Sequence, residues 1–178
     1  MDPDKEEIAI RAAQADPRAF APLYEHYFVR IFRFIHRRAG REDLAADLTQ
    51  QTFLKAIIAL PRYRSRGSPF GAWLYRITMN ELRMHWRKRR VMTVELSIAE
   101  VRGLVLEIGM EEREEELGRL ARALGRLGEE RSRLIDLRYF DRLSFAEMGQ
   151  VLGIGEDAAK MRTHRVLAAL RDQLANRT

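Results

Sequence analysis

The residue types and spacings in this chain that suit chemistry favour recognition over bond making. Between Arg62 and Arg90, aromatic and amide side chains alternate with cations: Tyr63, Arg64, Arg66, Tyr75, Arg76, Asn80, Arg83, Trp86, Arg87, Lys88, Arg89 and Arg90. Aromatic faces stack on unpaired bases while arginine and lysine follow the phosphates, so the mixture fits capture of a single nucleic-acid strand. The Asn80 amide both donates and accepts, as contact with a flipped base requires. Trp73 and Ile77, four residues apart, fit a buried face better, and Trp86 suits packing and stacking equally.

A second constellation lies near the C-terminus. Ser144-Phe145-Ala146-Glu147 has capping-box spacing, and Phe145, Met148, Val151 and Leu152 follow at helical intervals until Gly153. A new helix is expected from Gly155-Glu156-Asp157, its acids favourably placed at the positive end of the dipole. There Ala159, Thr163, Val166, Leu167 and Leu170 share an inner face, while Asp157, Lys160, Met161, His164 and Arg165 face outward with Arg162 at the edge. With Leu134, Ile135, Leu137 and Phe140 as a supporting helix, this is the grammar of a helix-turn-helix, whose second helix enters the major groove. The plainer alternative is a three-helix bundle with a charged surface.

Signals for catalysis are missing. The chain contains no Gly-rich phosphate loop, no HExxH pair and no serine in a strained elbow. The densest carboxylates, Glu111 to Glu116, sit in a solvated acidic stretch. With no cysteine, disulfides, thiolate metal sites and cysteine nucleophiles are excluded. His85 and His164 read as surface residues, so neither metal nor cofactor is expected, and the chain is not read as an enzyme.

The elements that must position these residues are helices. The 178 residues carry a net charge of +6, but it is unevenly spread. Residues 1–90 hold a net of +8, residues 91–117 a net of −6, and residues 118–178 a net of +4. Two basic blocks flanking an acidic stretch suggest two modules that face a polyanion. Helical periods predict helices over Glu6–Ala15, from Ala19 to Gly40 (with Phe20, Leu23, Tyr24, Tyr27, Ile31, Phe34 and Ile35 on one face), over Glu42–Leu60, and over Phe70–Arg90. The third carries Leu44, Leu48, Phe53, Leu54, Ile57 and Ile58. Val91 to Gly109 shows no steady period, and a C-terminal helical unit is expected from about Glu112 to Leu174. The expected fold is all-α: two small helical domains, 1–90 and 113–178, joined by an acidic linker at 91–112. No stretch is apolar enough to span a membrane, and the acidic start lacks the apolar core of a signal peptide. A cytoplasmic chain without membrane insertion is expected.

Two segments resemble a known family. Asp47-Leu48-Thr49-Gln50-Gln51-Thr52-Phe53-Leu54-Lys55-Ala56, with Gly67-Ser68-Pro69-Phe70-Gly71-Ala72-Trp73-Leu74-Tyr75-Arg76-Ile77-Thr78-Met79-Asn80, resembles region two of bacterial sigma factors. Leu143-Ser144-Phe145-Ala146-Glu147 through Ala158-Ala159-Lys160-Met161-Arg162 resembles region four, and the short linker is similar to the extracytoplasmic-function (ECF) group. The resemblance implies that Asp47, Leu48, Gln50, Gln51, Leu54 and Lys55 dock on core RNA polymerase. It implies that Tyr63, Arg64, Arg66, Ser68, Tyr75, Arg76, Asn80, Arg83, Trp86, Arg87 and Lys88 hold the single strand of the promoter −10 element. Ser144, Glu156, Asp157, Lys160, Met161, Arg162, His164 and Arg165 would meet the duplex −35 element, and an anti-sigma protein would be a further partner. Gln51 stands where the family usually has glutamate, Gly155 replaces a serine cap, and Ala159 replaces a larger aliphatic residue. Two other readings stay open: a helix-turn-helix regulator that binds duplex DNA without polymerase, and a helical protein-interaction module.

Overall fold

The computed structural model describes residues 1–65, 69–88, 101, 104–105 and 114–175, with the side chains of Arg87, Lys88, Glu114 and Ala175 left aside. Among these residues there are helices and turns but no strand. The chain divides into two compact units, Met1–Val91 and Met92–Thr178.

In the first unit α1 (Pro3–Ala15) starts earlier than the periodicity predicts. The Asp2 carboxylate accepts the Asp4 N–H at 3.0 Å, and Pro3 occupies the first turn, where its missing N–H costs nothing. The chain then leaves the helix at Asp16, whose side chain caps a short 3-10 turn, Pro17–Phe20. That turn delays α2 to Ala21–Ala39, and Gly40 ends it at φ 63° with its N–H on the His36 carbonyl. Helix α3 (Glu42–Ala59) runs into a second 3-10 turn at Leu60–Arg62 around Pro61, and α4 covers Phe70–Lys88. The Gln14 amide donates to the carbonyls of Leu60 and Tyr63 at 3.0 and 2.9 Å, which ties α1 to this turn.

The core forms where α2, α3 and α4 pack together. Leu23, Tyr27, Ile31, Phe34 and Ile35 meet Leu48, Phe53 and Ala56 from α3 and Phe70, Leu74, Tyr75, Met79 and Leu82 from α4, all buried. Tyr24 sits at the edge of the expected face, 40% exposed, its ring 4.7 Å from Phe53.

The second unit contains α5 (Glu114–Gly125), α6 (Glu129–Ile135), α7 (Phe145–Leu152) and α8 (Glu156–Ala175). Helix α6 does not simply stop. It widens into a π turn over Asp136–Phe140, closed by the Asp141 N–H on the Asp136 carbonyl at 2.9 Å. The chain then passes Arg142 at φ 56° before α7. Leu134, Ile135 and Leu137 are buried as expected, and Phe140 is half-buried.

Candidate polymerase-docking and nucleic-acid surfaces

Three surfaces emerge from how the helices spend their faces. On α3 the inward residues are Ala45, Leu48, Thr49, Thr52, Phe53 and Ala56. Thr49 and Thr52 satisfy their buried hydroxyls by donating to the carbonyls four residues back, at 2.7 and 2.8 Å. The outward sector therefore holds Asp47, Gln50, Gln51, Leu54 and Ile58, with Leu54 58% and Ile58 70% exposed. Two large apolar groups in water beside polar ones make a surface suited to a protein partner.

One residue expected on that docking surface is corrected. Leu48 is only 4% exposed, because the helical period that turns Asp47 outward turns Leu48 into the core. Lys55 stays exposed at the edge of this face, and its ammonium donates to the Glu81 carboxylate on α4 at 2.6 Å. Glu81 is 5% exposed, and a carboxylate so buried needs a charged partner.

The strand-capture surface is also narrower than expected. Tyr63 is buried, its ring 4.8 Å from Trp73 and 5.5 Å from Phe70. Burial holds its phenol above the ordinary tyrosine range, against the hydrogen bond with Ser65 that lowers it. Tyr75 is 1% exposed and meets Phe34 edge to face at 5.1 Å. Both rings therefore stack on protein, and neither presents a face to a base. Arg76, Asn80 and Arg83 remain, all exposed, spaced four and three apart along α4, so one face carries an amide between two guanidinium groups. Trp86 is half-buried one turn beyond Arg83, and Trp73 and Ile77 are half-buried as well. Arg64 is exposed with its guanidinium donating to the Pro61 and Tyr63 carbonyls at 3.1 and 2.9 Å. Arg66 and Ser68, and the side chains of Arg87 and Lys88, lie outside the described residues.

The third surface is α8. Its entrance is built from α7 and the turn behind it. Ser144 Oγ accepts the Glu147 N–H at 3.2 Å, and the Glu147 carboxylate accepts the Ser144 N–H at 2.7 Å, completing the capping box. Ser144 is exposed at the start of α7, and its hydroxyl also donates to the Glu147 carboxylate at 2.8 Å. Gly153 takes φ 71°, and the Ile154 N–H reaches back to the Gly149 carbonyl at 2.9 Å, a Schellman closure. A Cβ at Gly149 would stand 2.7 Å from the Ile154 carbonyl oxygen, so this turn passes directly over a glycine.

Helix α8 then buries Ala159, Thr163, Val166, Leu167 and Leu170 and exposes Glu156, Asp157, Lys160, Met161, Arg162, His164 and Arg165. The Thr163 hydroxyl donates to the Ala159 carbonyl at 2.8 Å. Arg162 donates to Glu130 on α6 at 3.0 Å, an exposed ion pair that stabilises little and is easily exchanged for another anion. The His164 ring lies 5.9 Å from Phe145, which the Arg138 guanidinium covers at 4.5 Å.

The residues that the sequence reading missed have traceable signals. The aromatic column Tyr24, Phe28, Phe32, His36 along α2, with ring centroids 5.2–6.0 Å apart, repeats every fourth residue. Glu81 was hidden because nothing local marks an acid as buried. Among the described residues no group of three or more histidines and carboxylates could hold a metal, and no helix is long and apolar enough to cross a membrane.

Comparison with known proteins assigns both units to described regions. The family "Sigma-70 region 2" matches residues 23–91, and "Sigma-70, region 4" matches residues 123–172. The ECF RNA polymerase sigma factor BldN of Streptomyces coelicolor is 31% identical over 172 residues, covering 92% of this chain and 63% of that protein. The ECF RNA polymerase sigma factor SigF of Caulobacter vibrioides is 31% identical over 177 residues, covering 94% and 92%. The solved structure of CnrH in complex with the cytosolic domain of CnrY matches with a TM-score of 0.69 at 26% identity, over 97% of this chain and 99% of that one. Two regions in order, and a relative 31% identical that the chain covers to 92% of its length, place the chain in the ECF RNA polymerase sigma factor family.

Proposed function

We propose that this chain binds core RNA polymerase and directs it to promoters by reading two DNA elements. The observation that carries the reading is the division of surfaces. One unit offers an apolar docking face on α3 and an Arg-Asn-Arg face on α4, and the other offers a capped helix-turn-helix with an outward basic face. Asp47, Gln50, Gln51, Leu54 and Ile58 dock on polymerase. Arg76, Asn80 and Arg83, with Arg64 and Trp86 at the margin, hold the non-template strand of the −10 element, the cations neutralising phosphates and the amide meeting a displaced base. Asp157, Lys160, Met161, His164 and Arg165 enter the major groove of the −35 duplex, and Arg162 exchanges Glu130 for phosphate.

The functional division is 1–90 for docking and melting, 91–112 for the acidic linker, and 113–178 for duplex reading. The chain itself makes and breaks no bond; polymerase supplies the chemistry, and the chain acts in the cytoplasm with it. CnrH was solved with the cytosolic domain of CnrY. By that likeness this chain takes a protein partner of its own, an anti-sigma factor that occupies its surfaces when transcription is off.

Run-off transcription with purified chain and bacterial core polymerase, on the promoter upstream of its own gene, tests the reading. A discrete transcript that core polymerase alone does not make is expected. Tight duplex binding by the chain alone, without such a transcript, would replace it with an independent helix-turn-helix regulator.

A further inference from the structure

Met161 is the one large apolar side chain that the second unit leaves in solvent among its described residues, 56% exposed. It belongs to the second turn of α8, where it lines a surface groove with Asp157, Lys160, His164 and Arg165. The helix has no structural use for it there. The inner face is already filled by Ala159, Thr163, Val166, Leu167 and Leu170, so Met161 is not a core residue turned aside.

Its neighbours carry charge or polar nitrogen and match the polar edges of bases. Lysine and arginine donate to guanine O6 and N7, and aspartate accepts from cytosine N4. A thioether does neither well. In the major groove the one apolar group that a base pair displays is the thymine C5-methyl. Methionine, unbranched and polarizable, settles onto such a group without a fixed rotamer.

We infer that Met161 is a specificity-determining residue that packs on the C5-methyl of a thymine in the upstream promoter element. The inference rests on α8 being the duplex-reading helix. At that position the chain then selects T·A by apolar contact, while Lys160 and Arg165 select their own positions by hydrogen bonds.

The test uses the whole chain with core polymerase and a pool of linear promoter templates randomised over the upstream element. Templates that the holoenzyme transcribes are enriched and sequenced. In an enriched template each upstream thymine is then replaced singly by deoxyuridine, which keeps O4 and base pairing and removes only the methyl.

At one thymine the replacement is expected to lower transcription about fourfold, the size of one lost buried carbon. With Met161→Ala that discrimination should vanish while preferences at the other positions persist. Met161→Gln should move the preference at that position to adenine, whose N6 and N7 suit a glutamine amide. An enriched element without thymine, or a Met161→Ala holoenzyme that keeps full methyl discrimination, would overturn the contact. No enrichment of any sequence would instead overturn the sigma reading, and the contact with it.

Discussion

Replacing Gly149 with alanine should dislodge α8, the proposed reading helix, without touching any residue of its outer face. The new Cβ would stand 2.7 Å from the Ile154 carbonyl oxygen, and 3.3 Å from both the Glu156 nitrogen and the Gly155 carbonyl carbon. These are backbone atoms, so no side chain can swing aside. Restoring an ordinary contact of 3.4 Å requires the start of α8 to retreat by about 0.7 Å, from 2.7 to 3.4 Å. Overpacking of this kind costs about 1–3 kcal/mol, and the Ile154-to-Gly149 hydrogen bond at the same point is stretched with it. For a unit of this size about 2 kcal/mol lowers the melting temperature by roughly 8–16 °C. Loss of one well-formed base contact through the shift adds about 1–3 kcal/mol of lost discrimination. Circular-dichroism melting of the full chain reads the first effect, and transcription from templates with intact or scrambled upstream elements reads the second. Gly153→Ala is the control: nothing lies within 4 Å of its Cβ, and its cost comes from φ 71° alone, about 1–2 kcal/mol. If Gly149→Ala melted and transcribed like the parent, the close approach would not be what sets the helix.

Other outcomes separate core from surface. Phe53→Ala should cost the first unit about 3–5 kcal/mol, seen in denaturant unfolding, because the ring is buried among Phe20, Tyr24 and Phe28. Leu54→Glu, one residue on but exposed, should leave unfolding within about 0.5 kcal/mol of the parent and weaken capture of core polymerase; the reverse ranking would refute the assignment of α3 faces. Arg76→Ala with Arg83→Ala should reduce promoter opening and flatten its dependence on salt, since fewer counterions are released. Unchanged salt slopes would remove both residues from the DNA path. His26 titrates below the ordinary histidine range, held there first by burial and then by the N-terminal ammonium and Arg30. The folded state thus binds this proton less readily than the unfolded chain, so its contribution to stability is present above that range and declines as pH falls through it. An NMR titration of the imidazole checks the sign, and a midpoint above the free-histidine value would reverse it.

Local rules carried much of the architecture. The capping box at Ser144, the αL glycines at positions 40 and 153, and the inner face of α8 are all decided within a few residues of themselves, so periodicity and cap chemistry find them. What failed was decided by distant partners. Tyr75 has the right type to stack on a base, but Phe34 from another helix takes its ring. Tyr63 is claimed in the same way by Trp73 and Phe70. The pairing of Lys55 with Glu81, 26 residues on, has no local sign either. Leu48 was assigned by its place in a motif although the period of α3 already pointed it inward. The π turn after α6 and the 3-10 turn before α2 left no periodic trace, because a single irregular turn is shorter than any window that detects period.

The sharp partition of α8 has a consequence for how such a protein changes over generations. Everything that seats the helix is on one side, Ala159, Thr163, Val166, Leu167 and Leu170, or in the turn behind it. The exposed side contributes almost nothing to seating it, and exposed substitutions of this kind usually alter stability by less than about 0.5 kcal/mol. Under the proposed duplex reading by α8, lineages can therefore rewrite Asp157, Lys160, Met161, His164 and Arg165 one at a time, acquiring new sets of target genes, while the platform beneath tolerates each step. Duplicated copies could diverge in the genes they serve long before they diverge in how they fold.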